Sequence, residues 1–182
     1  MVSTVIKNWD NKTWLSSKDY IKSFNNFLIK QVKLNSKSRI LDIGCGRGKI
    51  LGSLSSKLRL KNKPIGIDIE KHKDRDRRIH FKKINAIDFM KKNKKKFDLI
   101  IIKQTIHLLK FKEIKKLIHT SKMQLNENGK ILILTLETSH NEIPTFLLMK
   151  RKLKKSLDRD KKIIQYISKL YPKNKNKRFS FK

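Results

Sequence analysis

RILDIGCGRGKILGSLSSKL, residues 39–58, carries three glycines on alternate positions between two apolar patterns of different period. Ile40, Leu41 and Ile43 give the density of a buried strand, whereas Ile50, Leu51, Leu54 and Leu58 fall on one face of a helix. Gly44, Gly46 and Gly48 therefore occupy a strand-to-helix turn. Glycine lets a backbone turn sharply and approach another group closely, and the amides that open a helix attract electron-rich atoms. The arrangement predicts a ligand at this turn.

Outward from it, similar apolar runs recur: PIGIDI (64–69), FDLIII (97–102), KILILTL (130–136) and a weaker IHFKKI (79–84). Helical spacing is readable over Ser17–Val32, 49–60, 87–93 and 112–125, where Ile114, Leu117, Ile118 and Leu125 share a face. Asn128-Gly129 reads as a glycine cap or tight turn ahead of the last strand. Strands alternating with helices predict an α/β fold, a mostly parallel sheet wrapped in three layers. Beyond Glu137 the pattern turns helical and basic, over Asn141–Lys155 and Asp158–Tyr171, with RFSFK (178–182) as one further strand candidate. The expected organisation is a single domain over 1–182: an N-terminal helical cap (1–37), a ligand-binding core (38–137) and a basic C-terminal segment (138–182).

Lysine and arginine number 47 against 15 acids, for a formal net charge of +32. Lysine dominates, alongside abundant isoleucine and asparagine, which is what codon bias writes in a genome poor in G and C. Arginine is the residue preferred for reading phosphates and bases, so its scarcity weakens a specific nucleic-acid reader. Non-specific attraction to polyanions still follows, and leaves nucleic acid open as a partner. Cys45 is the sole cysteine, which excludes an internal disulfide and a multi-thiolate metal site, so no metal is expected and a cytoplasmic setting is. The apolar runs are too short to cross a bilayer, and no membrane association is expected.

The glycine pattern is selective about its ligand. A dinucleotide fingerprint would need glycine where Lys49 stands, and no GxxxxGK[ST] loop follows a strand. Asp68 closes the second strand about twenty residues beyond the turn, where a ribose-binding acid belongs. LDIGCGRG, GIDIE, INAIDF, KFDLIIIKQTIHLL and LNENGKILILTLE, in that order over Arg39–Glu137, together resemble the class I S-adenosylmethionine-dependent methyltransferases. The resemblance implies a Rossmann-like methyltransferase fold and S-adenosyl-L-methionine as methyl donor. It implies that Asp42, Gly44, Gly46 and Gly48 face the methionine end and Asp68, with Ile69 beside it, the ribose. Asn85, Ala86 and Asp88 would meet the adenine, and Lys103 and Gln104 the donor through their backbone.

Methyl transfer from a sulfonium needs donor and acceptor held in line rather than a dedicated catalytic set, which accords with the absence of a Ser/His/Asp pattern. His107, just past the fourth strand, is the candidate general base toward a hydroxyl acceptor, with a packed bystander as the plainer reading. Trp9, Trp14 and Tyr20 precede the fold, either lidding the donor or anchoring the first helix. The loop IKQT lacks the [DNS]PP[YFW] grip of amino-group methylating nucleic-acid enzymes, and Cys45 lies inside the glycine loop, so no cysteine remains for pyrimidine carbon-5 chemistry. A small-molecule acceptor is expected. An RNA- or protein-directed methyltransferase, or a non-catalytic or truncated donor-binding module, stands as the alternative. The family's sheet usually carries two more strands than are readable here, so an incomplete sheet edge that invites self-association is also expected.

Overall fold

The computed structural model of the chain describes residues 18–134. The N-terminal aromatics Trp9 and Trp14 and the expected basic segment 138–182 lie outside the described residues. In chain order the elements are α1 (Lys18–Gln31), β1 (Ile40–Ile43), α2 (Lys49–Leu58), β2 (Ile65–Asp68) and β3 (His80–Lys83). They are followed by α3 (Ala86–Lys92), β4 (Phe97–Lys103), a 3-10 turn (Ile106–Leu108), α4 (Phe111–Met123) and β5 (Leu125–Leu134).

The five strands form one sheet in the order β3-β2-β1-β4-β5, and all four pairings are parallel. β1 sits at the centre with its four residues buried. β4 is buried at five of its seven positions. Apolar side chains on both faces are what a parallel sheet covered by helices requires, and ILDI and FDLIII supply them without alternation. One face packs Ile40, Leu99 and Ile101 against Phe24 and Leu28 of α1 and Leu51 and Leu54 of α2. The other packs Leu41, Ile43, Ile67, Ile100 and Ile102 against Phe89 of α3 and Ile114, Leu117 and Ile118 of α4. The expected three-layer α/β architecture is the one observed.

Two local expectations change. Leu125 does not continue the face of α4 but opens β5. The helix stops at Gln124, whose side-chain amide donates to the Met90 and Asn93 carbonyls and accepts from Asn93 Nδ2, while its own carbonyl accepts from Phe97 N. These bonds commit the chain to pairing with β4. Gly129 accordingly does not cap a helix. It lies in an excursion of β5, where Phe97 pairs with Leu125 and Leu99 with Lys130, and a Cβ on it would stand 2.6 Å from the Phe97 carbonyl oxygen.

Candidate functional site at the carboxyl ends of β1, β2 and β4

In an open parallel sheet the strands end together, and ligands bind beyond their carboxyl ends at the point where the order reverses. Here that point lies between β1 and β4, beside β2. The glycine loop leaves β1 there. Gly44, Gly46 and Gly48 all hold left-handed backbone, with φ of 72°, 53° and 69°. Gly44 N and Cys45 N both donate to the Ile67 carbonyl, at 2.8 and 3.1 Å. Gly46 N donates to Asp68 Oδ2 at 2.8 Å, and Glu70 N to Asp68 Oδ1 at 3.0 Å. The glycine turn and the acid that the sequence places some twenty residues apart are therefore in direct contact. One backbone N–H per carboxylate oxygen leaves each with acceptor capacity for a hydroxyl pair.

Asp42 ends up 6 % exposed on β1, beneath the loop. Ile69 follows Asp68 and is 54 % exposed, an apolar side chain presented at the strand end. Ile84 N donates to the Asp68 carbonyl at 2.9 Å and brings the chain after β3 to the same end of the sheet. Asn85 caps α3 there, its Oδ1 accepting from Ile87 N at 2.8 Å, and Ala86 packs against the core as the first helical residue. Asp88 is on the first turn of α3, exposed and 3.9 Å from Lys91 Nζ.

On the other side, β4 ends at Lys103, whose Nζ lies 5.6 Å from the centroid of the Tyr20 ring. Tyr20 stacks on Phe24 at 5.8 Å and is buried, which anchors α1 over this corner and pushes its phenol pKa up to about 12. Gln104 is one of two non-glycine residues among those described with positive φ, at 52°, and its N–H donates to the Leu134 carbonyl. A non-glycine residue held in left-handed backbone carries strain, and such strain concentrates at functional loops. His107 belongs to the 3-10 turn that follows.

The residue that sequence reasoning missed is Thr105. Its hydroxyl lies 3.1 Å from the Ile43 carbonyl and 3.0 Å from that of Lys103, so it ties the end of β4 to the end of β1. A Cβ on Gly44 would fall 2.0 Å from its Oγ1. Nothing in the sequence flags a threonine after KQ. Its role exists only once β1 and β4 are paired. Cys45, by contrast, turns inward: its thiol fills the space over Gly66, where a Cβ would be 2.7 Å from Sγ. Burial, with the negative charges of Asp42 and Asp68, pushes that thiol far up from its ordinary pKa.

A family model described as "Methyltransferase domain" matches residues 34–178. The chain belongs to this family. Among solved structures, the plantazolicin methyltransferase BpumL, in complex with a pentazolic desmethylPZN analog and SAH, is 22 % identical with a TM-score of 0.65. That match covers 93 % of this chain and 70 % of the other. A SAM-dependent methyltransferase from Archaeoglobus fulgidus is 24 % identical with a TM-score of 0.54, over 65 % of this chain and 55 % of that one. A SAM-dependent methyltransferase from Geobacter sulfurreducens in complex with S-adenosyl-L-homocysteine is 15 % identical with a TM-score of 0.54, covering 72 % of this chain and 55 % of its own. The chain thus spans little more than half the length of two of these three structures. At such identities the likeness establishes the Rossmann-like methyltransferase fold. No curated relative matches the sequence. Among the described residues, no helix of the methyltransferase domain is long and apolar enough to cross a membrane, and no three His, Cys, Asp or Glu side chains could hold a metal ion.

Proposed function

We propose that this methyltransferase domain binds S-adenosyl-L-methionine at the carboxyl ends of β1, β2 and β4 and transfers its methyl group to a small-molecule acceptor. The observation that carries the reading is the contact between Gly46 N and Asp68 Oδ2, which brings the glycine turn and a strand-end carboxylate to one site. The family match supports it. The fit is steric as well as polar. Gly44 and Gly46 hold left-handed backbone at the strand ends with no side chain of their own, Asp68 offers two acceptor oxygens, and the exposed Ile69 offers an apolar surface beside them.

When bound, the donor supplies the electrophile as a methyl sulfonium. The work left to the chain is orientation. Asp68 accepts from the ribose hydroxyls, Asn85 and Ala86 set the adenine against the start of α3, with Asp88 beside them, and Asp42 with Gly44, Gly46 and Gly48 holds the methionine end. Lys103 and Gln104 present backbone from the β4 end, where the left-handed Gln104 turns the chain. His107, on the 3-10 turn after that loop, takes the proton from a hydroxyl acceptor. Positioning of this kind supplies rate by making the reaction effectively intramolecular.

Isothermal titration of the purified chain with S-adenosylmethionine and S-adenosylhomocysteine tests the reading. Saturable one-site binding is expected. A folded chain that binds neither ligand overturns it. His107→Ala then separates its roles, with base catalysis predicting a loss of turnover and unchanged donor affinity.

A further inference from the structure

Arginine is the scarce cation here, nine of 47 basic residues, yet three of the nine lie within four positions, Arg75, Arg77 and Arg78. A composition biased toward lysine does not account for that cluster. It falls in the crossover from β2 to β3, residues 69–79, which carries no helix, although a parallel crossover usually does. In place of a helix there is a groove of about 420 Å³ lined by Lys73, Arg75, Asp76, Arg77, Ile79 and Phe81. That volume is in the range of small-ligand sites, about 300–1,000 Å³.

The groove is built, not merely charged. Asp76 is the acid on its wall, and Arg78 engages both its oxygens, Nε on Oδ1 at 2.9 Å and Nη2 on Oδ2 at 2.6 Å. Arg78 also donates to Ser56 Oγ of α2 at 2.8 Å. The Asp76 carboxylate seats against α2 because residue 52 is glycine, where a Cβ would come within 2.3 Å of it. Asp76 N donates to the Arg47 carbonyl, and Arg47 Nε stands 3.1 Å from Asp74 Oδ1, so both acids face arginines outside the groove. The groove's own cations are left over. Arg75 is held by stacking, its guanidinium carbon 4.1 Å from the centroid of the Phe81 ring, and its Nε has no hydrogen-bond partner among the described residues. Arg77 is exposed and makes no ion pair among the described residues.

We propose that this groove binds a phosphate ester of nucleotide size, with Arg75 and Arg77 as the phosphate ligands, Lys73 as a third cation, and Ile79 and Phe81 as the apolar floor. Guanidinium forks match phosphate oxygens pairwise, and a planar arginine on an aromatic ring is fixed in advance of binding. None of these residues belongs to the proposed donor site. The inference stands whether or not that site is correctly read.

The test is titration calorimetry with uridine 5′-monophosphate, at about 150 mM salt to screen the overall charge. Uridine serves as the uncharged control. Saturating S-adenosylhomocysteine is included in a second series to occupy the donor site. The expected result is one-site binding of uridine 5′-monophosphate, not of uridine, in both series. Arg75→Ala/Arg77→Ala should weaken it about tenfold or more, since charge-assisted bonds are lost. Lys94→Ala/Lys95→Ala removes the same charge from the loop between α3 and β4 and should leave affinity unchanged. Arg77→Ala alone keeps the Arg75–Phe81 stack, so a weaker affinity there cannot be ascribed to misfolding. The proposal is overturned if the nucleotide does not bind, if saturating S-adenosylhomocysteine abolishes its binding, if both double variants lose affinity equally, or if only a longer polynucleotide binds.

Discussion

Replacing Gly44 by alanine isolates what holds the site together. The new Cβ would lie 2.0 Å from Thr105 Oγ1, 2.7 Å from its Cγ2 and 2.9 Å from its Cβ. Thr105 has to swing away, which forfeits the hydrogen bond its hydroxyl shares between the Ile43 and Lys103 carbonyls. One hydroxyl proton shared between two carbonyls is worth about 0.5–1.5 kcal/mol. Alanine at φ 72° adds about 1–2 kcal/mol of left-handed strain. The expected loss is therefore about 1.5–3.5 kcal/mol, a large share of the 5–15 kcal/mol of a typical domain. Urea unfolding of Gly44→Ala, Thr105→Ala and the double variant measures it. Because the same shared bond is lost in each single variant, the double should cost about 0.5–1.5 kcal/mol less than the sum of the singles. Penalties that add to within about 0.3 kcal/mol would refute the contact between Gly44 and Thr105.

Asp68→Ala should weaken donor binding by tenfold or more while also releasing Gly46 N and Glu70 N; unchanged affinity by calorimetry removes the ribose assignment. Cys45 should resist iodoacetamide at pH 8 in the folded chain and react readily in urea, since burial holds its thiol protonated; equal rates in the two states would contradict its position over Gly66. Arg78 holds the Asp76 carboxyl below its usual pKa, chiefly by its side-chain hydrogen bonds. A depressed carboxylate stabilises the fold above its unfolded pKa and ceases to as pH falls through the folded one. The unfolding midpoint should drop more steeply below pH 3.8 for the parent than for Asp76→Asn, and parallel profiles would show that the pair adds no pH-dependent stability.

The strands were legible because a parallel sheet covered on both faces needs unbroken apolar runs, and ILDI, IGID and FDLIII are such runs. β3, with three of its four residues exposed, is correspondingly the run whose pattern was weakest. Other features were illegible because they depend on register. Leu125 has the spacing to extend α4, and only the hydrogen bonds of Gln124 to α3 and β4 turn it into a strand residue. The arginine groove was illegible because charge alone does not reveal that Gly52 admits Asp76, or that Phe81 lies under Arg75.

The glycine loop joins these two cases. Its spacing announced a ligand turn, and all three glycines hold the left-handed backbone that other residues disfavour, while each is held by a contact with a different part of the sheet. At Gly44 it is Thr105 after β4, and at Gly46 it is the N–H bond to Asp68 at the end of β2. At Gly48 it is Ile79, whose Cδ1 would be 2.2 Å from an added Cβ. A five-residue motif is thus clamped by β4, β2 and the entry to β3 at once. Preorganisation by three separate strands is what a rigid donor site requires, since loose positioning of the reacting groups is what costs rate. It also ties the loop to the arginine groove, because Ile79 lines that groove and Asp76 N bonds to Arg47 between Gly46 and Gly48.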